Sequence, residues 1–258
     1  MRSSSNDENT DDNDIPNGTR KIQTSIPEYE VTVKRKPYIP TDKEELHFKN
    51  PSTARVNLAA TSSHPDGTTT NNYAKAHASQ TVLQQHCAFF DYDNDGIIWP
   101  SDTYRGFREL GFNIFLSLLS MFIIHVNFSY PSCPSLIPDP FFRLYLLNIH
   151  KTKHGSDTGT YDNEGRFVPQ KFEDFFSKYG DGEKDGLTAW EIWEGIKGQR
   201  VIMDPIGWGG AVFEWVATYL FLWPEDGIVR KEDVRRIYDG SLFYEIAEKR
   251  TGRTRTRR

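Results

Sequence analysis

Large apolar side chains are sparse up to about residue 75 and dense beyond residue 85, and where they are dense their spacing is helical. In "TVLQQHCAFF", residues 81–90, Val82, Leu83, His86, Phe89 and Phe90 fall near one face at i, i+3, i+4, i+7 spacing, which predicts a helix. A second helix is predicted over "TYRGFRELGF". The next stretch, "FNIFLSLLSMFIIHVNF" at residues 112–128, is the most apolar in the chain. As a helix it would be roughly 25 Å long, against about 30 Å for a bilayer core. Asn113, Ser117, Ser120, His125 and Asn127 interrupt it. A buried or interfacial helix, or a re-entrant hairpin, fits better than a full span. "SYPSCPSLIPDPFF" then sets Pro131, Pro134, Pro138 and Pro140 close together, so the chain must turn back there. Further helices are expected from about Pro169, from about Thr188, across the aromatic "IGWGGAVFEWVATYLFLWP", and in the charged closing segment "EDGIVRKEDVRRIYDGSLFYEIAEKR".

The expected fold is therefore mainly α, with short strand pairs, a central apolar helix and a proline-rich turn. Residues 1–75 read as a largely disordered polar leader, within which "YEVTVKRKPYIP" suggests a short extended segment. Residues 76–248 read as one folded domain, and residues 249–258 as a basic tail. The net charge of −5 gives no reason to expect nucleic acid as a partner. Cys87 and Cys133 make no disulfide framework, and no apolar stretch follows Met1 as a secretory signal would, so a reducing compartment is expected.

Between the first two helices lies "DYDNDGIIWPSD", residues 91–102. Asp91, Asp93 and Asp95 occupy positions 1, 3 and 5 of a twelve-residue EF-hand loop, Gly96 the sharp turn at 6, and Ile97 the carbonyl at 7. Hard oxygen ligands at these offsets suit calcium. Position 12 is Asp102, whose side chain is shorter than the usual Glu. Two further acid-Gly loops, at Asp185-Gly186 and Asp226-Gly227, suggest a decayed repeat. In "DGEKDGLTAWEI" Glu191 falls one residue early for position 12, and the third loop lacks the first two acids. Both are expected to be degenerate EF-hand-like partners that hold no ion.

"VLQQHCAFFDYDNDGIIWPSDTYRGFRELGFN", "SYPSCPSLIPDPFFRLYLLNIHKTKHGSDTGTYDNEGRFVP" and "EDGIVRKEDVRRIYDGSLF" occur here in that order. In these segments, over roughly residues 80–245, the chain resembles the caleosin/peroxygenase family. "DGIIWPSDT", with Asp at position 12, looks like fungal members; plant-like members usually carry Glu there. The resemblance implies a calcium-binding haem peroxygenase that uses fatty-acid hydroperoxides to oxygenate unsaturated lipids. It implies a lipid-droplet or endoplasmic-reticulum membrane location on the cytoplasmic face, and a "proline knot" at residues 131–143. Arg143 departs from the family, where many members have another proline. Homo-oligomerisation is left open. His86 and His154 match the family's haem-associated, catalytic histidines: one would be the axial iron ligand, the other a second ligand or a distal acid–base group.

The residues alone make His86 a helix-face histidine and His154 a loop histidine, and they leave His125 and His150 as rival ligands. Two other functions compete: a non-enzymatic calcium-binding droplet-surface protein, and a soluble calcium sensor whose apolar helices pack internally.

Overall fold

The computed structural model describes residues 48–181 and 184–252. The extended segment expected in residues 29–40, the acidic N-terminal stretch and the last residues of the basic tail lie outside the described residues.

The helical expectation holds, with little sheet. Helix α1, Val82–Ala88, begins at Thr81, whose hydroxyl accepts from the Gln84 amide while the Gln84 side chain accepts from the Thr81 amide. That reciprocal cap satisfies two otherwise orphaned donors. After the acidic loop, strand β1, Ile97–Ile98, leads into α2, Pro100–Glu109. Pro100 enters at the helix start, where a missing N–H costs nothing.

Helix α3, Ile114–Ser132, is turned inside out. Its buried residues are Ser117, His125, Ser129 and Ser132, while Phe115 is 71% and Phe122 61% exposed. Of the buried and interfacial alternatives, the buried one is excluded by this exposure. The helix also runs one turn further than the apolar run, taking in Pro131; a proline in the last turn forfeits only one ladder bond. The chain then turns back as expected and returns as β2, Leu144–Tyr145, antiparallel to β1. Arg143 ties that turn down. Its guanidinium binds Asp139 at 2.7 and 3.4 Å and lies over the rings of Trp99, Phe141 and Tyr145.

Helices α4, Pro169–Tyr179, and α5, Ala189–Gln199, flank strand β3, Gly186–Thr188. Helices α6, Pro205–Leu222, and α7, Lys231–Tyr238, flank β4, Ile228–Arg230. Strands β3 and β4 pair antiparallel with Leu187 opposite Val229, so the second and third acid-Gly loops are partners of each other. Their carboxylates already have cations: Lys184 lies 2.8 Å from Asp181, Lys231 lies 3.5 Å from Asp185, and Arg230 pairs with Asp226. Helix α8, Ser241–Thr251, closes the domain.

One apolar cluster joins Val82, Phe167, Phe172, Phe175, Leu187 and Val229; a second joins Phe89, Phe107, Phe112, Phe221 and Phe243. Each fully buried aromatic contributes about 1.5–3 kcal/mol. Residues 48–75, expected to belong to the leader, instead pack into this domain. Phe48, Ala59 and Ala60 are buried, and Arg55 and Phe167 exchange backbone hydrogen bonds. The physical reason is polar: Thr68 Oγ1 donates to Asp239 Oδ2 at 2.6 Å, and the buried Arg235 donates to Thr68 Oγ1 and to the Ala59 carbonyl. A segment poor in large apolar residues is held by buried hydrogen bonds that no periodicity reveals.

Candidate functional site

A cavity of about 450 Å³ lies between α1, α3, α6 and α7, and its wall is mostly apolar. His86 and His154, distant in sequence, both line it. His86 sits on α1 with its ring edge-on to Phe243 at 5.2 Å. Its Nδ1 is 2.7 Å from the Ile237 carbonyl oxygen, which can only accept, so Nδ1 carries the proton and Nε2 keeps the lone pair. Burial pushes the imidazole below its ordinary pKa, outweighing the Ile237 bond, so the ring is neutral. Gly240 permits this approach. Its φ is +76°, and a Cβ there would meet the Gln85 carbonyl at 2.7 Å and the His86 Cα at 3.0 Å.

His154 has different surroundings. Its Nε2 is 3.6 Å from Glu214 on α6, and its Nδ1 is 3.8 Å from Asp204; both are ion-pair distances rather than hydrogen bonds. The Glu214 carboxylate, helped by Asp157 and Asp204, lifts its pKa above the ordinary value despite partial burial. Asp204 fixes the loop that presents it: it caps α6 through the Gly207 amide at 2.9 Å and accepts from the Ser156 amide and hydroxyl at 3.0 and 2.9 Å. Gly210 leaves the space the ring needs, since a Cβ there would stand 3.1 Å from Nε2.

Nearby, Tyr161 donates to the Tyr238 carbonyl at 2.6 Å, and the Tyr238 hydroxyl is 2.8 Å from Thr158 Oγ1. Cys87 also lines the cavity, but burial pushes its thiol up to about 12, so it stands as neutral SH.

The rivals fall away. His125 uses both ring nitrogens structurally, at 2.8 Å to Thr103 Oγ1 and 2.6 Å to the Phe142 carbonyl. His150 is not in the cavity wall.

Just past the C-terminal end of α1, ligand atoms of Asp91, Asp93 and Asp95 lie within 4.8 Å of one another. Gly96, with φ +82°, turns its amide back to Asp91 Oδ2 at 3.0 Å, and the Ile97 amide donates to Asp95 Oδ1 at 2.7 Å. Asp91 Oδ1 is buried without a hydrogen-bond partner, and burial, with the neighbouring carboxylates, raises the Asp91 pKa. Asp102 is not in this group; its Oδ2 accepts from the Trp99 amide at 3.0 Å at the start of α2.

Glu214, Asp204, Tyr161, Tyr238 and Gly240 were not singled out from the sequence. Glu214 left one signal, as the lone charge inside the apolar run 205–222, and Asp204 another, as a cap before a helix-initiating proline.

An imidazole pair thus shares one apolar cavity, beside a carboxylate loop and an outward-apolar helix, in a mainly helical fold. The chain belongs to the caleosin family, whose model, described as caleosin related protein, matches residues 78–247. It is 43% identical over 217 residues to a protein named peroxygenase from Lilium longiflorum, covering 83% of this chain and 89% of that one. It is 38% identical over 172 residues to probable peroxygenase 4 of Arabidopsis thaliana, covering 67% and 88%. A probable inactive peroxygenase-like protein of Arabidopsis thaliana is 35% identical over 147 residues, covering 57% and 70%. No solved structure matches the chain. Family and relatives together make this an oxidative enzyme of the peroxygenase type.

Proposed function

We propose that this chain is a calcium-binding haem peroxygenase that uses fatty-acid hydroperoxides to oxygenate unsaturated lipids at a lipid-droplet or endoplasmic-reticulum surface, on its cytoplasmic side. The observation that carries the reading is the meeting of His86 and His154 on one apolar cavity. The donor set fits haem. A metal-binding histidine characteristically donates its other N–H to a carbonyl or carboxylate, and His86 does so to Ile237, so its Nε2 is the nitrogen that would hold the haem iron. Bound there, haem would supply the transfer of one oxygen atom from a hydroperoxide to a double bond, with the lipid alcohol as by-product and no reductase needed.

The chain's own residues do the rest. His154, beside Glu214, would give the proton at its Nε2 to the oxygen that leaves with the alcohol and regain a proton from the O–H of the hydroperoxide. Asp204 and the Ser156 loop keep that ring in place. The apolar wall excludes water and holds the acyl chain.

Calcium would sit among Asp91, Asp93, Asp95 and the Ile97 carbonyl, where the partnerless Asp91 Oδ1 calls for a cation. The shorter Asp102, engaged with Trp99, would complete the shell through water. The two pairings β1–β2 and β3–β4 support an EF-hand with degenerate partners. The inverted polarity of α3, which by length and composition alone could cross a membrane, supports lipid contact at an interface.

With haem, an oxygen-18-labelled fatty-acid hydroperoxide and oleic acid, the expected product is an epoxide carrying the label. An unlabelled product, or none from haem-loaded protein, rejects the reading. The second reading, a non-enzymatic calcium-binding droplet-surface protein, is favoured by the relative named as inactive; purified full-length chain that takes up no haem would establish it.

A further inference from the structure

Helices α3 and α6 both contribute to the cavity wall and both expose apolar side chains. The residues that belong to both sets mark the mouth. On α3 this is Leu119, 38% exposed; on α6 they are Phe213, Val216 and Leu220, each between 37% and 48% exposed. Residues 213, 216 and 220 are spaced i, i+3, i+7, so they run along one face of α6 for about 10 Å. On the same helix Gly210 and the exposed Glu214 stand against His154. The opening therefore leads from the surface between two helices to the imidazole, with apolar side chains on both sides. Water-soluble substrates would meet a polar rim; this rim is hydrocarbon except for Glu214.

The rest of α6 matches. Ile206 and Trp223, near its two ends, are 72% and 68% exposed, and Met203 just before it is 85% exposed. Arg200 lies over the Trp208 ring at 4.9 Å. Aromatic and basic residues at the ends of an apolar stretch suit the interface between lipid and water.

The geometry points to a side entrance: the slot between α3 and α6 admits one acyl chain into the cavity directly from a lipid surface, with α6 lying on that surface beside α3. The ligand is a long unbranched hydrocarbon chain with a polar end. This deepens the reading above and rests on it for the reaction, but not for the binding.

The test uses the full chain and the fluorescent polyene cis-parinaric acid. Val216→Trp fills the slot from α6 and Leu119→Trp fills it from α3. Each is expected to weaken parinaric acid binding about tenfold or more, with circular dichroism unchanged. Wild-type affinity in both folded variants overturns the entrance, whether or not haem binds. If the wild-type chain takes up no haem yet the tryptophan variants still block parinaric acid, the peroxygenase reading fails and the entrance stands. If both variants misfold, Phe213→Cys in a Cys133→Ala background, labelled with an environment-sensitive dye, decides. A blue shift on adding phosphatidylcholine-coated triacylglycerol emulsion supports lipid contact; unchanged emission, or a dimer in solution that covers the label, overturns it.

Discussion

His86 Nδ1 lies 2.7 Å from the carbonyl oxygen of Ile237, a bond across 151 residues of sequence that ties α1 to the end of α7. It sets the tautomer of the histidine, and with it Nε2 as the nitrogen that keeps its lone pair. Gly240, three residues beyond Ile237, has a positive φ and no room for a side chain. Gly240→Ala should push α1 away from α7, costing about 1–3 kcal/mol of stability and weakening haem uptake in proportion. Urea unfolding and haem titration on the same sample check this. Unchanged haem affinity in a destabilised variant would separate the glycine from the site.

The carboxylate loop starts three residues after α1 ends, and α1 is only seven residues long. So short a helix has little stability of its own, and its C-terminal anchor is the loop. Removing calcium with a chelator, or replacing Asp91 by Ala, should lower haem occupancy as well as calcium binding. Calorimetry and the haem absorbance report the two separately. Full haem occupancy in calcium-free Asp91→Ala would show the sites to be independent.

Glu214→Gln should move the pH dependence of turnover. Glu214 raises the pKa of His154, so removing its charge makes His154 lose its proton at lower pH. If the protonated ring is the proton donor, the alkaline limb of kcat/KM shifts toward lower pH while haem absorbance stays as in wild type. A uniform fall in kcat/KM with no shift of the limb would leave Glu214 a merely structural role.

Asp139 gives a prediction outside the active site. Burial alone would raise its pKa, but the Arg143 guanidinium, the Phe141 amide and the Tyr145 hydroxyl hold it at about 2. A depressed carboxyl stabilises the fold above its unfolded value, near 4, and loses that contribution as pH falls toward 2. Asp139→Asn should cost about 1–2 kcal/mol at neutral pH, and the gap from wild type should close between about pH 4 and pH 2. Urea midpoints across that range measure it; a constant gap would contradict the linkage.

Much of this was legible in the chain. The EF-hand spacing put three carboxylates together because the ligand offsets are local, and the loop's own turn folds them inward. The proline cluster turned the chain back because proline forbids the alternative. What the sequence hid was non-local. Residues 48–75 look like a leader because hydrogen bonds to Asp239 and Arg235, not apolar side chains, hold them. Helix α3 was open to a buried or an interfacial placement because composition says nothing about which face turns inward, and here the serines and His125 do. His86 and His154 could be joined only through family resemblance, since the cavity they share is built from helices far apart in sequence. Their pKa values move in opposite directions, His86 down through burial and His154 up through Glu214, and no motif marks either cause.

If His86 holds the haem and His154 carries the proton, variants of the two differ in kind. The most direct measurement is the Soret absorbance of haem-reconstituted full-length chain as wild type, His86→Ala and His154→Ala. His86→Ala is expected to lose the band, while His154→Ala keeps it and loses hydroperoxide turnover. An undiminished band in His86→Ala would contradict this role of His86.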